Sequence, residues 1–185
     1  MEGKTHISHV LEGNNCRDQY DAEVKKILSD KTILAWIMKY SMEEFKDYTI
    51  EEARECIEGT PEVATIRIRP GHTPEAITGM SNEDKVPGEG EIFYDIRFYA
   101  VTHDSEHIKI IVNVEAQKDF YPGYDLVTRA IFYCARMLSA QLSTEFSVSR
   151  DDPVKYDNIK KVYSIWICMD TSKKAENTID EYHFI

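Results

Sequence analysis

The chain has 185 residues, 42% hydrophobic and 30% charged, which is the composition of a globular protein and not of a disordered one. That length fits one domain with a substantial core. A formal net charge of −11 argues against a broad non-specific nucleic-acid surface, which needs clustered Lys and Arg, but leaves room for a local basic cleft or a divalent ion.

No apolar run approaches the ~20 residues of a membrane span, and the first residues carry no apolar stretch of a secretory signal. Cys16, Cys56, Cys134 and Cys168 are widely spaced and form no CxxC pair. They read as reduced thiols of a cytoplasmic protein, with Cys134 and Cys168 as small core residues.

Residues 1–17 show no period and read as an N-terminal arm, leaving 18–185 as a single domain. From Arg17 or Asp18, apolar residues at three- and four-residue steps (Tyr20, Val24, Ile27, Leu28, Leu34, Ile37, Met38, Phe45) predict helix. Asp30 interrupts it, with a second start near Lys31. A short helix is expected over Ile50–Ile57. Thr49 and Glu52 form its capping box, and Gly59 with Thr60-Pro61 ends it.

Glu62–Arg69 alternates like a strand, and the Gly-, Pro- and acid-rich Pro70–Gly90 reads as a long loop. Two apolar strands follow, Glu91–Val101 and Ile108–Lys118, with His103–His107 as the turn of an antiparallel hairpin. Next comes a long helix over Asp125–Glu145, with Leu126, Ala130, Ile131, Cys134, Met137, Leu138 and Leu142 as its apolar stripe. Ser147–Asp157 is turn-like, Lys161–Met169 is a strand, and Tyr182–Ile185 begins another. The apolar ending YHFI suggests the N-terminal piece of a longer protein. Helices packed on a mixed sheet make the fold α/β or α+β.

Strand parity gives the hairpin a polar corner. Ile108, Ile110, Val112, Val114 and Ala116 fall on one face of the second strand, with Lys109, Ile111, Asn113, Glu115 and Gln117 on the other. In the first strand, Phe93, Asp95, Arg97, Tyr99 and Val101 form the set opposite Ile92, Tyr94, Ile96, Phe98 and Ala100. Asp95 and Glu115 can therefore share the non-core face. A carboxylate on an apolar strand is costly unless it is paired or binds a metal. Two together suit Mg²⁺, with the Ala116 carbonyl as a further oxygen ligand. A buried ion pair of Asp95 with Arg97 or Arg129 is the other explanation.

Residues 82–141 add a resemblance. NEDKVPGEGEIFYDIRFYAV, then IIVNVEAQ, then TRAIFYCARMLSAQ resembles the PD-(D/E)XK nuclease superfamily, and within it the Rpn-type recombination-promoting nucleases labelled putative transposases. The residues that carry it are Asp95, Glu115 and Gln117, then Arg129 and Tyr133 on the following helix. Asp21 and Lys25, a D-x-x-x-K on the first helix, also fit. The resemblance implies a restriction-endonuclease-like mixed sheet flanked by helices. It also implies Mg²⁺- or Mn²⁺-dependent DNA endonuclease activity linked to recombination or transposition.

By that resemblance Asp95 and Glu115 bind metal, and Gln117 stands where the superfamily has a water-activating lysine. Gln can bond water but brings no charge and no base. Arg129, Tyr133 and Arg136 share a helix face that could meet phosphate, and Glu23 is a candidate helix acid. The alternative is a nuclease-fold protein that no longer cuts and binds DNA or a protein partner. Homo-oligomerisation stays open. His6, His9, His103, His107 and His183 form no zinc set with the cysteines, and no phosphate-binding glycine loop or nucleophile elbow is present.

Overall fold

In a computed structural model the protein is described over residues 15–59, 61–63, 83–86, 90–103, 108–143 and 155–183. Residues 1–14 of the expected arm with His6 and His9, most of the Pro70–Gly90 loop, and the strand assignment of 64–69 lie outside them. So do the hairpin turn at 104–107 with His107, the helix end at 144–145 and most of the turn-like 147–157. The last two residues of the chain lie outside them as well. Residues 182–183 are not in a strand.

Helix α1 (Asn15–Leu28) begins inside the expected arm, and α2 (Lys31–Ser41) follows. The break falls at Asp30, whose carboxylate accepts the free amides of Thr32 and Ile33 and so starts a new helix. A single 3₁₀ turn over Glu43–Phe45 leads to α3 (Ile50–Glu55). Both arms of the Thr49–Glu52 capping box are formed, and Gly59 takes the left-handed φ of +62° that glycine tolerates.

The strands are β1 (Glu62–Val63), β2 (Glu83–Val86), β3 (Gly90–Phe93), β4 (Ile96–Val101), β5 (Lys109–Asp119) and β6 (Lys161–Asp170). Between β5 and β6 lies α4 (Leu126–Ala140), continued by a 3₁₀ turn over Gln141–Ser143. One sheet has the order β1-β4-β5-β6, with β6 parallel to β5 and the other pairs antiparallel; β2 and β3 form a separate hairpin. The fold is therefore mixed α/β.

The strands here differ from the expected ones in two places. Glu83–Val86 lies in a strand, because its partner Gly90–Phe93 sits just beyond the Pro-Gly turn signal at Pro87-Gly88. The expected continuous strand Glu91–Val101 breaks at Tyr94–Asp95. The cause is a conflict of parity. Ile96, Phe98 and Ala100 pack with the first three helices, whereas Tyr94, two residues earlier, packs with Ile111, Tyr133 and Met137. An unbroken strand would send Tyr94 and Ile96 to the same face.

Helices cover both faces of the sheet. Leu34, Met38, Phe45 and Ala53 meet Ile96, Phe98, Ile110, Val112 and Val114 on one side. On the other, α4 covers Ile111 with Tyr133 and Met137, and Trp166 of β6 packs against them. The buried stripe of α4 thus differs from the one expected. Met137 is buried as expected, but Ile131 and Leu142 are exposed, while Tyr133 and Arg136 are buried. The helix lies over the polar corner of the sheet, so its Arg and Tyr residues turn inward. Cys56 is buried, whereas the supposed core thiols Cys134 and Cys168 are half-buried, and burial raises the pKa of both.

The Asp125 carboxylate caps α4 by accepting the Val127 amide at 2.9 Å. Asp125→Ala is expected to lower stability by about 1 kcal/mol, read as a shift in urea midpoint at unchanged slope. An unchanged midpoint contradicts the cap's contribution.

Candidate functional site

The hairpin register sets Ile96 opposite Val114 and Arg97 opposite Asn113. One step further, where β4 has ended, Asp95 and Glu115 face each other. Their side chains replace the missing rungs of the ladder. The Asp95 amide donates to Glu115 Oε1 at 3.0 Å, and the Ala116 amide donates to Asp95 Oδ2 at 2.9 Å. The two carboxylates are thereby fixed at one corner of the sheet, and each holds the other's strand.

A third group comes from α1. Lys25 Nζ lies 2.7 Å from Asp95 Oδ1, with side-chain exposures of 10% and 14%. In the sequence Lys25 stands out only through its D-x-x-x-K pattern, with no expected part in the site. The ion pair considered there for Asp95, with Arg97 or Arg129, is made by Lys25. Arg97 is buried, its guanidinium 4.9 Å from the Tyr94 ring centroid.

Glu115 is 3% exposed. Burial and the adjacent Asp95 charge push its pKa up to about 8, against the opposing pull of the Asp95 amide, the Asn113 side chain and Arg129. Two acids this close in a dry corner resist ionising together unless a positive charge joins them. Two residues before Glu115 on the same face, Asn113 Oδ1 is buried with no hydrogen-bond partner among the described residues. Two hard carboxylates and an unused amide oxygen suit a divalent cation that keeps several waters. Among the described residues no group of three His, Cys, Asp or Glu could hold a metal, so protein carboxylates would supply two ligands.

Arg129 occupies the α4 side. Its guanidinium donates to the hydroxyls of Tyr124 and Tyr133 at 2.6 and 2.7 Å. It lies 5.0 Å from the Trp166 ring centroid and 5.1 Å from that of Tyr133. Trp166 is itself held by an indole bond to Ser164, which Asn113 also contacts. Arg129 is therefore a charge held by aromatic rings beside Glu115, half open to solvent.

The other sequence candidates are placed as follows. Tyr133 is buried against Tyr94 and Trp166, so it positions Arg129 and has little surface to offer a ligand. Arg136 is buried at 4% exposure, away from the phosphate-facing role considered for it. Glu23 is exposed on α1. Gln117 donates its amide to the Asp119 carbonyl at 2.7 Å and bonds neither carboxylate. Ala116 meets Asp95 through its N–H. His103 and His183 are exposed. Lys25, Tyr124 and Trp166 were missed as site residues. The D-x-x-x-K pattern could have drawn attention to Lys25; the two aromatics carried no signal.

No family model, no curated protein and no solved structure matches the chain. No helix among the described residues is long and apolar enough to cross a membrane.

Proposed function

We propose that the protein is a Mg²⁺-dependent nuclease of restriction-endonuclease-like fold that hydrolyses phosphodiester bonds in DNA. The observation that carries this reading is the mutual clamp of Asp95 and Glu115, a largely covered carboxylate just ahead of β4 and a buried one on β5, fixed side by side with cationic side chains on either flank. The mixed sheet between helices and the sequence resemblance support it further.

Asp95 and Glu115 would hold the cation, which when bound lowers the pKa of a coordinated water and offsets charge on the phosphate. The clamp fixes both carboxylates before substrate arrives, so little reorganisation is needed at the moment of reaction. Arg129, held by Tyr124 and Tyr133, would receive a non-bridging phosphate oxygen through its remaining donors. In the reaction water oxygen adds to phosphorus, one P–O ester bond breaks, and the leaving oxygen takes a proton. With a net charge of −11, DNA contact at this corner would rest on Arg129, the one of its three cations that is half open to solvent. Gln117, turned toward Asp119, would need to rotate to meet the water. That feature favours the second reading, a nuclease-fold protein that binds without cutting.

Plasmid nicking in Mg²⁺ or Mn²⁺ tests the proposal. Nicking by the wild type that chelator abolishes is the expected result. Metal binding without nicking would favour the second reading, and neither binding nor nicking would overturn both.

A further inference from the structure

We propose that Lys25 supplies, from the first helix, the positive charge that the end of β5 lacks at Gln117. This rests on the nuclease reading above and names a positioning residue for it. Lysine is almost never buried unless it is paired. Here Lys25 is 8% exposed while its neighbours Lys26 and Glu23 are exposed, so α1 turns Lys25 inward. Its Nζ meets Asp95 Oδ1, the oxygen that the Ala116 amide leaves open.

The arrangement divides labour between the two Asp95 oxygens. Oδ2 is held by the backbone of β5, and Oδ1 is held by a side chain from a different layer of the fold. The carboxylate therefore has a fixed plane and direction. An ammonium is a compact point charge with three rotatable donors. Paired with Asp95, it can fix that carboxylate and bring positive charge to the corner where a phosphate would lie. Gln117 can do neither, because an amide has no charge and this one is engaged with Asp119. Removing the ammonium takes away a charge but no metal ligand.

The test compares Lys25→Met and Lys25→Arg with wild type in plasmid nicking, Mn²⁺ calorimetry and thermal melting. Lys25→Met is expected to lower kcat about 100-fold, with KM within about threefold, as for an interaction made in the transition state. It should bind Mn²⁺ as tightly as wild type or more tightly, since a competing cation has left Asp95. Lys25→Arg should recover about a tenth of the wild-type rate by keeping the charge with altered geometry. A Lys25→Met protein that nicks at the wild-type rate overturns the assignment while leaving the nuclease reading intact. Loss of Mn²⁺ binding in Lys25→Met also overturns it, because Lys25 would then only prop the ligands. If wild type does not nick, the nuclease reading falls. The Lys25 assignment, which rests on that reading, is overturned with it.

Discussion

Asp95→Ala is expected to lower stability by about 3 kcal/mol, the lower end of what breaking a buried ion pair costs, and to remove cation-dependent nicking. The substitution deletes three things at once. The Ala116 amide loses its acceptor, Lys25 keeps its burial without its carboxylate partner, and the proposed cation site would lose one of its two carboxylates. Asp95→Asn separates the effects. An amide oxygen can still accept from Ala116, so less of the stability is lost, but the charge is gone and the rate should still fall on the order of 100- to 1,000-fold. Urea denaturation in chelator measures the first effect and plasmid nicking the second. A wild-type rate in Asp95→Asn would remove Asp95 from the chemistry and leave it a purely structural clamp.

Glu115 sets the second large effect, which is a dependence on pH. Its folded pKa of about 8 lies above the ordinary 4.5, chiefly because it is buried and secondly because Asp95 is beside it. Between those values the folded chain holds a proton that the unfolded chain has released. The stability linked to that proton is full below the ordinary value and is lost as pH rises through the folded one. Stability in chelator should therefore fall from about pH 5 toward pH 9, by on the order of 3 kcal/mol from this residue. Glu115→Gln keeps an oxygen to accept the Asp95 amide and has no charge to bury. It should flatten that fall and be more stable than wild type at pH 9, while losing cleavage. Parallel pH profiles for the two proteins in urea denaturation would contradict this origin.

Much of the local structure is legible in the residues. The Asp30 break, the Thr49–Glu52 capping box and the β4–β5 pairing each follow from a short-range rule about caps or alternation. Parity places Glu115 on its face of β5, but Asp95 lies just outside β4 and meets Glu115 through the crossed bonds between each carboxylate and the other segment's backbone. What was not legible depends on contacts distant in sequence. The bend at Tyr94–Asp95 arises because Tyr94 is claimed by α4 and Ile96 by the opposite helices, and alternation within one apolar run does not reveal two owners. The inward face of α4 was misread because Arg129, Tyr133 and Arg136 are polar by type, yet they cover a polar corner. Lys25 resembles any helix-surface lysine until α1 is laid against the end of β5, 70 positions before its partner in the chain.

Calorimetric titration of metal-free protein with Mn²⁺ tests most directly whether the clamp of Asp95 and Glu115 is a cation site. One binding event in wild type, absent from the Asp95→Asn, Glu115→Gln double variant that still folds by circular dichroism, is the expected result. Binding of equal strength in both proteins, or none in wild type, would contradict it.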